Sequence, residues 1–86
     1  MNEKELLKAG YKYIEGKHPE ECDKYYRKCL GEGKTISVYY YGADEFEGPE
    51  FEFEYFEIEG EYTRKIYLYG IDESYTVQKI ENILLK

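Results

Sequence analysis

The chain has 86 residues, 19 of them acidic and 12 basic, for a net charge of −7. That balance excludes a binder of phosphate backbones, which needs clustered Lys and Arg, and it argues against docking on an anionic membrane. Twelve tyrosines and four phenylalanines mark a folded chain rather than a disordered one, and the length is that of a single domain, residues 1–86, with a thin core.

The first ten residues, MNEKELLKAG, lack the apolar run of a signal peptide, and no segment is long enough to span a bilayer. The expectation is a cytoplasmic protein with Cys22 and Cys29 as reduced thiols; one disulfide is the alternative in an oxidising setting. Asn2 can cap a helix, with Glu5 three residues on as its capping-box partner. Leu6, Leu7, Ala9, Gly10, Tyr13 and Ile14 then recur at helical spacing, which predicts a helix fading near Gly16.

Residues 18–33 admit two readings. Pro19 with Glu20, Glu21 and Asp23 resembles a helix start, and Arg27, Lys28 and Gly31 resemble a helix end. The preferred reading is a strand at Tyr25–Leu30 that turns through Gly31-Glu32-Gly33-Lys34 into the strand Thr35–Tyr41. In that second strand Ile36, Val38 and Tyr40 point one way and Ser37, Tyr39 and Tyr41 the other. An acidic loop over Gly42 to Pro49 follows. Phe51–Ile58 and Tyr62–Ile71 form a hairpin around Glu59-Gly60. A final helix starts at Thr76, whose hydroxyl can cap it, with Val77, Ile80, Ile83 and Leu84 as its buried stripe. The expected fold is α+β: an antiparallel sheet of three or four strands, with the N- and C-terminal helices packed on one face and the other face left to solvent.

A two-residue loop at Glu59-Gly60 sets Phe53 opposite Ile66, Phe51 opposite Leu68, Glu54 opposite Lys65, Glu52 opposite Tyr67 and Glu50 opposite Tyr69. Apolar then meets apolar and polar meets polar, and a one-residue slip destroys the segregation. The pattern breaks at the tip, where Phe56 and Ile58 fall on the polar face. Either a β-bulge near Tyr55-Phe56 or exposed apolar residues account for that.

The charge is concentrated. Residues 35–63 hold nine acids and no base, whereas the segments before and after are each net +1. Alternation explains why the solvent side of this hairpin is polar, but not why it is acidic. One explanation is protection: charged edges deter aggregation and keep a tyrosine-rich domain soluble. The other is recognition of a basic partner by the face that carries Glu50, Glu52 and Glu54 beside Tyr39, Tyr41, Tyr67 and Tyr69, since tyrosine is enriched at interface centres. Those seven residues are the candidate partner-binding site.

Other chemistry fits poorly. Gly31-Glu32-Gly33-Lys34-Thr35 echoes the end of a P-loop, but Lys28 stands where the motif needs glycine, and a strand follows rather than a helix. His18, Cys22 and Cys29 make at most three zinc ligands and lack a close cysteine pair. A Cys–His nucleophile would have one histidine to draw on and little room for a cleft. A straight row of carboxylates does not converge on calcium, and nothing in it raises one pKa for acid–base work. No catalytic residue, metal or cofactor is assigned.

In its size, its acidity and its carboxylate–tyrosine face, the chain resembles as a class the nucleic-acid-mimicking inhibitors of phages and mobile elements, such as anti-CRISPR proteins and uracil-DNA glycosylase inhibitors. The resemblance implies a non-enzymatic protein that blocks a basic surface, that of a nucleic-acid-binding protein, without itself contacting nucleic acid or membrane. The alternative is a small adaptor or homodimeric structural protein whose tyrosine-rich sheet face is the interface. A third reading is a small enzyme using Cys22, Cys29 or His18.

Overall fold

Asn2 does open the first helix: in the computed structural model, which describes residues 1–15, 22–43 and 48–85, its side chain accepts the Glu5 N–H at 2.8 Å. The Glu5 carboxylate does not close the capping box. It reaches across to accept the N–H of Val77 at 2.6 Å, the first residue of the C-terminal helix, where a carboxylate is favoured by the unsatisfied amides. Helix α1 (Glu3–Lys8) is shorter than its apolar spacing predicts. Gly10, with φ of +98°, takes the chain out of the helix as glycine does beyond a C-cap. Tyr13 and Ile14 therefore leave the helical stripe, and Lys12–Tyr13 form a short strand, β1.

Four longer strands follow: β2 (Lys24–Gly31), β3 (Lys34–Tyr41), β4 (Glu50–Glu59) and β5 (Tyr62–Ile71); helix α2 (Val77–Leu84) ends the fold. They form one antiparallel sheet in the order β1-β2-β3-β4-β5. The class is α+β as expected, but the sheet has five strands rather than three or four, because β1 adds to the outer edge of β2. Residues 24–31 are strand, not helix; Pro19, Glu20 and Glu21 lie outside the described residues, as do Asp44, Glu45 and Glu47 of the acidic loop.

Turn chemistry sets both registers. Glu32 and Gly33 have φ of 53° and 75°, as a type I′ hairpin turn requires at its two central positions. The next hairpin turns at Gly60-Glu61, not at Glu59-Gly60: Glu59 pairs with Tyr62, and Gly60 has φ of 59°. A II′ turn places glycine at its first central position, so the loop slides by one residue and the register by two. Phe53 consequently faces Leu68 and Glu54 faces Tyr67, where Ile66 and Lys65 were expected. A slide of two leaves each side chain on its expected face. The bulge lies not at Tyr55-Phe56 but on β5, between the pairs Phe51–Ile71 and Phe53–Leu68, and includes Gly70 with φ of 73°.

One face of the sheet carries Ile36, Val38, Phe51, Phe53 and Tyr55, and both helices bury it through Leu6, Val77, Ile80 and Leu84. Ile83, expected in that stripe, is 48% exposed. Tyr11 enters the same core with its ring edge-on to Phe53. Its hydroxyl donates to Glu81 at 3.0 Å, and Lys28 donates to the same carboxylate oxygen at 2.9 Å. Tyr26 likewise donates to Glu3, which also accepts from Lys24 at 2.8 Å.

Phe53→Ala should destabilise the domain by about 3–5 kcal/mol, the cost of deleting a fully buried ring, measured by chemical denaturation. Gly33→Ala should also destabilise it, because a Cβ there would lie 2.5 Å from the Ile58 carbonyl oxygen on a backbone with positive φ. Burial first, then Glu81 or Glu3, raises the pKa of Tyr11 and of Tyr26. The unfolded tyrosines ionise near pH 10 while these two stay protonated in the fold. The contribution of these two rings to stability should therefore be constant up to about pH 10 and fall as pH rises beyond it; a Tyr11→Phe/Tyr26→Phe variant should show a shallower alkaline decline.

Candidate functional site

The face of the sheet turned away from the helices is built from alternate residues: Tyr25, Arg27 and Cys29 on β2, Thr35, Ser37, Tyr39 and Tyr41 on β3, Glu50, Glu52, Glu54 and Phe56 on β4, and Lys65, Tyr67 and Tyr69 on β5. Cross-strand pairing sets Tyr25 beside Tyr39, Tyr39 beside Glu52, Ser37 beside Glu54 and Glu54 beside Tyr67. The sequence pattern thus places all seven candidate partner-binding residues on one face. It does not leave all of them open.

Tyr39 is 4% exposed. It stacks on Tyr25 at 5.2 Å and on Tyr67 at 6.4 Å between ring centres, and Cys22 completes a second small core with Ile14 and Tyr41 packed against it. The expectation that Tyr39 is displayed to solvent is therefore corrected: Cys22 and Tyr25 pack with it, with Ile14 against them, and alternation along β3 carries no trace of that. Tyr41 and Tyr67 are half-buried. Tyr69, at the edge strand, is 69% exposed, with its ring 4.9 Å from that of Tyr67.

Each of the three glutamates is held. Glu52 accepts the hydroxyls of Tyr67 at 2.7 Å and Tyr41 at 3.1 Å, both on Oε2. Glu50 accepts the N–H of Gly70 at 2.9 Å, so a carboxylate satisfies an amide at the β5 bulge. Glu54 lies 3.5 Å from the Lys65 ammonium, the contact expected from sequence although the register differs. The acidity of β4 now has part of its reason: tyrosine hydroxyls and a bulge amide donate here, and a carboxylate accepts from both, whereas a lysine accepts from neither.

Arg27 was not among the candidate residues. Its guanidinium lies 5.4 Å from the Tyr25 ring centre and donates to the Tyr25 hydroxyl at 2.9 Å, while that hydroxyl is 2.9 Å from Ser37 Oγ. The alternation of Tyr25, Arg27 and Cys29 along β2 was the signal for its placement. Phe56 lies under Lys65, 6.0 Å from ring centre to ammonium, and Ile58 is 48% exposed; the tip therefore displays apolar surface beside Glu59 and Glu61.

Cys22 is buried and Cys29 exposed; His18 lies outside the described residues. Among the described residues, no three His, Cys, Asp or Glu side chains gather as a metal site would require, and no helix is long and apolar enough to cross a membrane. No protein-family model matches the chain, and neither curated proteins nor solved structures yield a match.

Glu52→Ala should cost about 1 kcal/mol, since two half-buried hydroxyls lose a charged acceptor but can still reach water, whereas Glu52→Gln, which keeps an acceptor oxygen, should cost less. Urea denaturation of the two variants measures the difference, and equal losses would mean that the hydroxyl bonds contribute nothing.

Proposed function

We propose that this protein is a non-enzymatic binding protein whose acidic, tyrosine-bearing sheet face engages a basic protein surface, that of a nucleic-acid-binding protein. The observation that carries the reading is the arrangement of Glu50 and Glu52 next to Tyr69: two carboxylates fixed by an amide and two hydroxyls, beside an exposed ring tilted against a half-buried one. Fixed charges lose little freedom when a cation docks, and an aromatic ring backed by a second ring supplies apolar contact at low entropic cost. Both Glu52 bonds fall on one oxygen, so the carboxylate keeps capacity for an arginine or lysine donor. The net charge of −7 favours capture of a basic partner by long-range attraction. The reading assigns the protein to the cytosol, a reducing compartment compatible with the exposed Cys29 thiol.

The partner-binding residues in this reading are Glu50, Glu52, Glu54, Tyr41, Tyr67 and Tyr69. Tyr39 supports them from beneath, as a stacked ring that holds Tyr67 in place.

A triple variant, Glu50→Gln/Glu52→Gln/Glu54→Gln, removes the charge and keeps the acceptors. Proteins captured from a cell lysate by the native protein at low salt should be released by competing duplex DNA and by salt near 1 M, where the Debye length is about 3 Å. The triple variant should fold normally and associate with those proteins roughly tenfold or more slowly, because complementary charge acts mainly on the association rate. Tyr69→Ala should instead speed dissociation, with little dependence on salt. Capture at the native rate by the triple variant, or capture insensitive to DNA, would overturn the reading.

A further inference from the structure

We propose that β5 pairs antiparallel with the β5 of a second copy of this chain, about a twofold axis at Tyr67, to give one continuous ten-stranded sheet. The proposal stands apart from the reading of the acidic face and does not need it.

The sheet has two outer strands. On one side β1 spans two residues; on the other, β5 spans ten and is paired with β4 along one side. No described strand or helix lies along its other side, and an outer strand of that length is a template for further pairing. The Glu59–Tyr62 pair closes a two-residue turn, so its members exchange both hydrogen bonds and the pattern alternates from there. Residues 62, 64, 66 and 68 thus direct their backbone groups to β4, and residues 63, 65, 67 and 69 direct theirs outward.

A twofold axis at Tyr67 matches outward residues with outward residues: Lys65 with Tyr69 of the second copy, and Tyr67 with its own equivalent. Between them, Ile66 faces Leu68. These two are the half-buried apolar residues of β5 on the helix side, and each would cover the other. On the opposite side the Lys65 ammonium meets the exposed Tyr69 ring, a cation–π pairing, and the row Tyr25–Tyr39–Tyr67 continues across the axis. An axis at residue 65 sets Lys65 against Lys65. An axis at residue 66 sets Arg64 against Leu68. Of the three, the axis at Tyr67 is the register that sets no charge against a like charge or an apolar side chain.

Charge also permits a second copy. β5 carries Arg64 and Lys65 and no acid, in a chain of net charge −7. Pairing through β5 keeps the two β4 strands three strand spacings apart, roughly 14 Å, beyond the Debye length of about 8 Å at physiological ionic strength. The twofold axis is normal to the sheet, so both acidic faces lie on the same side of the dimer.

The pairing involves few residues, so the dimer belongs among small, weak interfaces and should form with a Kd on the order of micromolar. Sedimentation equilibrium on the native protein should show a monomer–dimer equilibrium in that range; a monomer at every concentration up to about 1 mM overturns the proposal. Lys65→Pro deletes one outward N–H, which an outer strand tolerates, and should sediment as a folded monomer; a dimer of native strength overturns edge pairing. In a Cys29→Ser background, the double variant Ile66→Cys/Leu68→Cys should oxidise to a covalent dimer, because residues facing each other in a non-hydrogen-bonded pair lie about 4.5 Å apart, within disulfide reach. Neither single variant should do so. Efficient cross-linking of Ile66→Cys alone assigns the axis to residue 66 and overturns the register.

Discussion

The structure depends on burying tyrosine rings while giving their hydroxyls an acceptor. A buried hydroxyl left without a partner costs on the order of 1–3 kcal/mol, a large share of the few kcal/mol by which a domain of this size is stable. With 12 tyrosines in 86 residues the requirement recurs on every layer. Carboxylates meet it for five of the rings: Glu81 for Tyr11, Glu3 for Tyr26, Glu52 for Tyr41 and Tyr67, and Glu57 for Tyr55. For Tyr25 the partner is Ser37, 2.9 Å from the hydroxyl. Part of the acidity that looks like surplus charge in the sequence is thus acceptor capacity.

The two faces of the sheet solve the problem differently. On the helix side, aliphatic residues and phenylalanine fill the centre, and tyrosines stand at the margin with their hydroxyls turned to Glu81 and Glu3. Both of those carboxylates also take a lysine, from Lys28 and Lys24, so charge there is nearly balanced. On the other side, rings stack across β2, β3 and β5 in place of a covering helix, and the carboxylates of β4 stand between them. Lys65 balances Glu54, but Glu50 and Glu52 are bonded to neutral donors. That imbalance is what makes the face a candidate for a cationic partner rather than a neutral layer of the fold.

Closing a small sheet without a second layer of helices leaves the edge strand as the least finished part of the molecule. The bulge at Tyr69-Gly70, fixed by Glu50, twists the end of β5, and Arg64 and Lys65 charge its middle. These features hold back indiscriminate pairing while remaining compatible with one self-matching register. The fixed acidic face and the incomplete edge belong to the same hairpin, and Glu50 joins them, acting at once as a face carboxylate and as the acceptor for the bulge.

The sequence by itself determined the local features. Asn2 and Thr76 are short polar side chains ahead of apolar stripes, and both cap their helices. The period-two alternation of β3 and β4 assigned Ile36, Val38, Phe51 and Phe53 to the core and the glutamates to the opposite face, because facing is a property of each strand alone. Glycine placed the turns to within one residue. What only the tertiary structure decided depends on neighbours remote in the chain. Gly10 ends α1 early and frees β1 to become a fifth strand. Glu5 leaves its own helix for the amide of Val77, 72 residues away. Tyr39, which reads as a displayed ring, is buried because Cys22 and Tyr25 pack against it. Periodicity fixes which way a side chain points; what lies there to meet it is set by packing between segments that the pattern of any one strand does not contain.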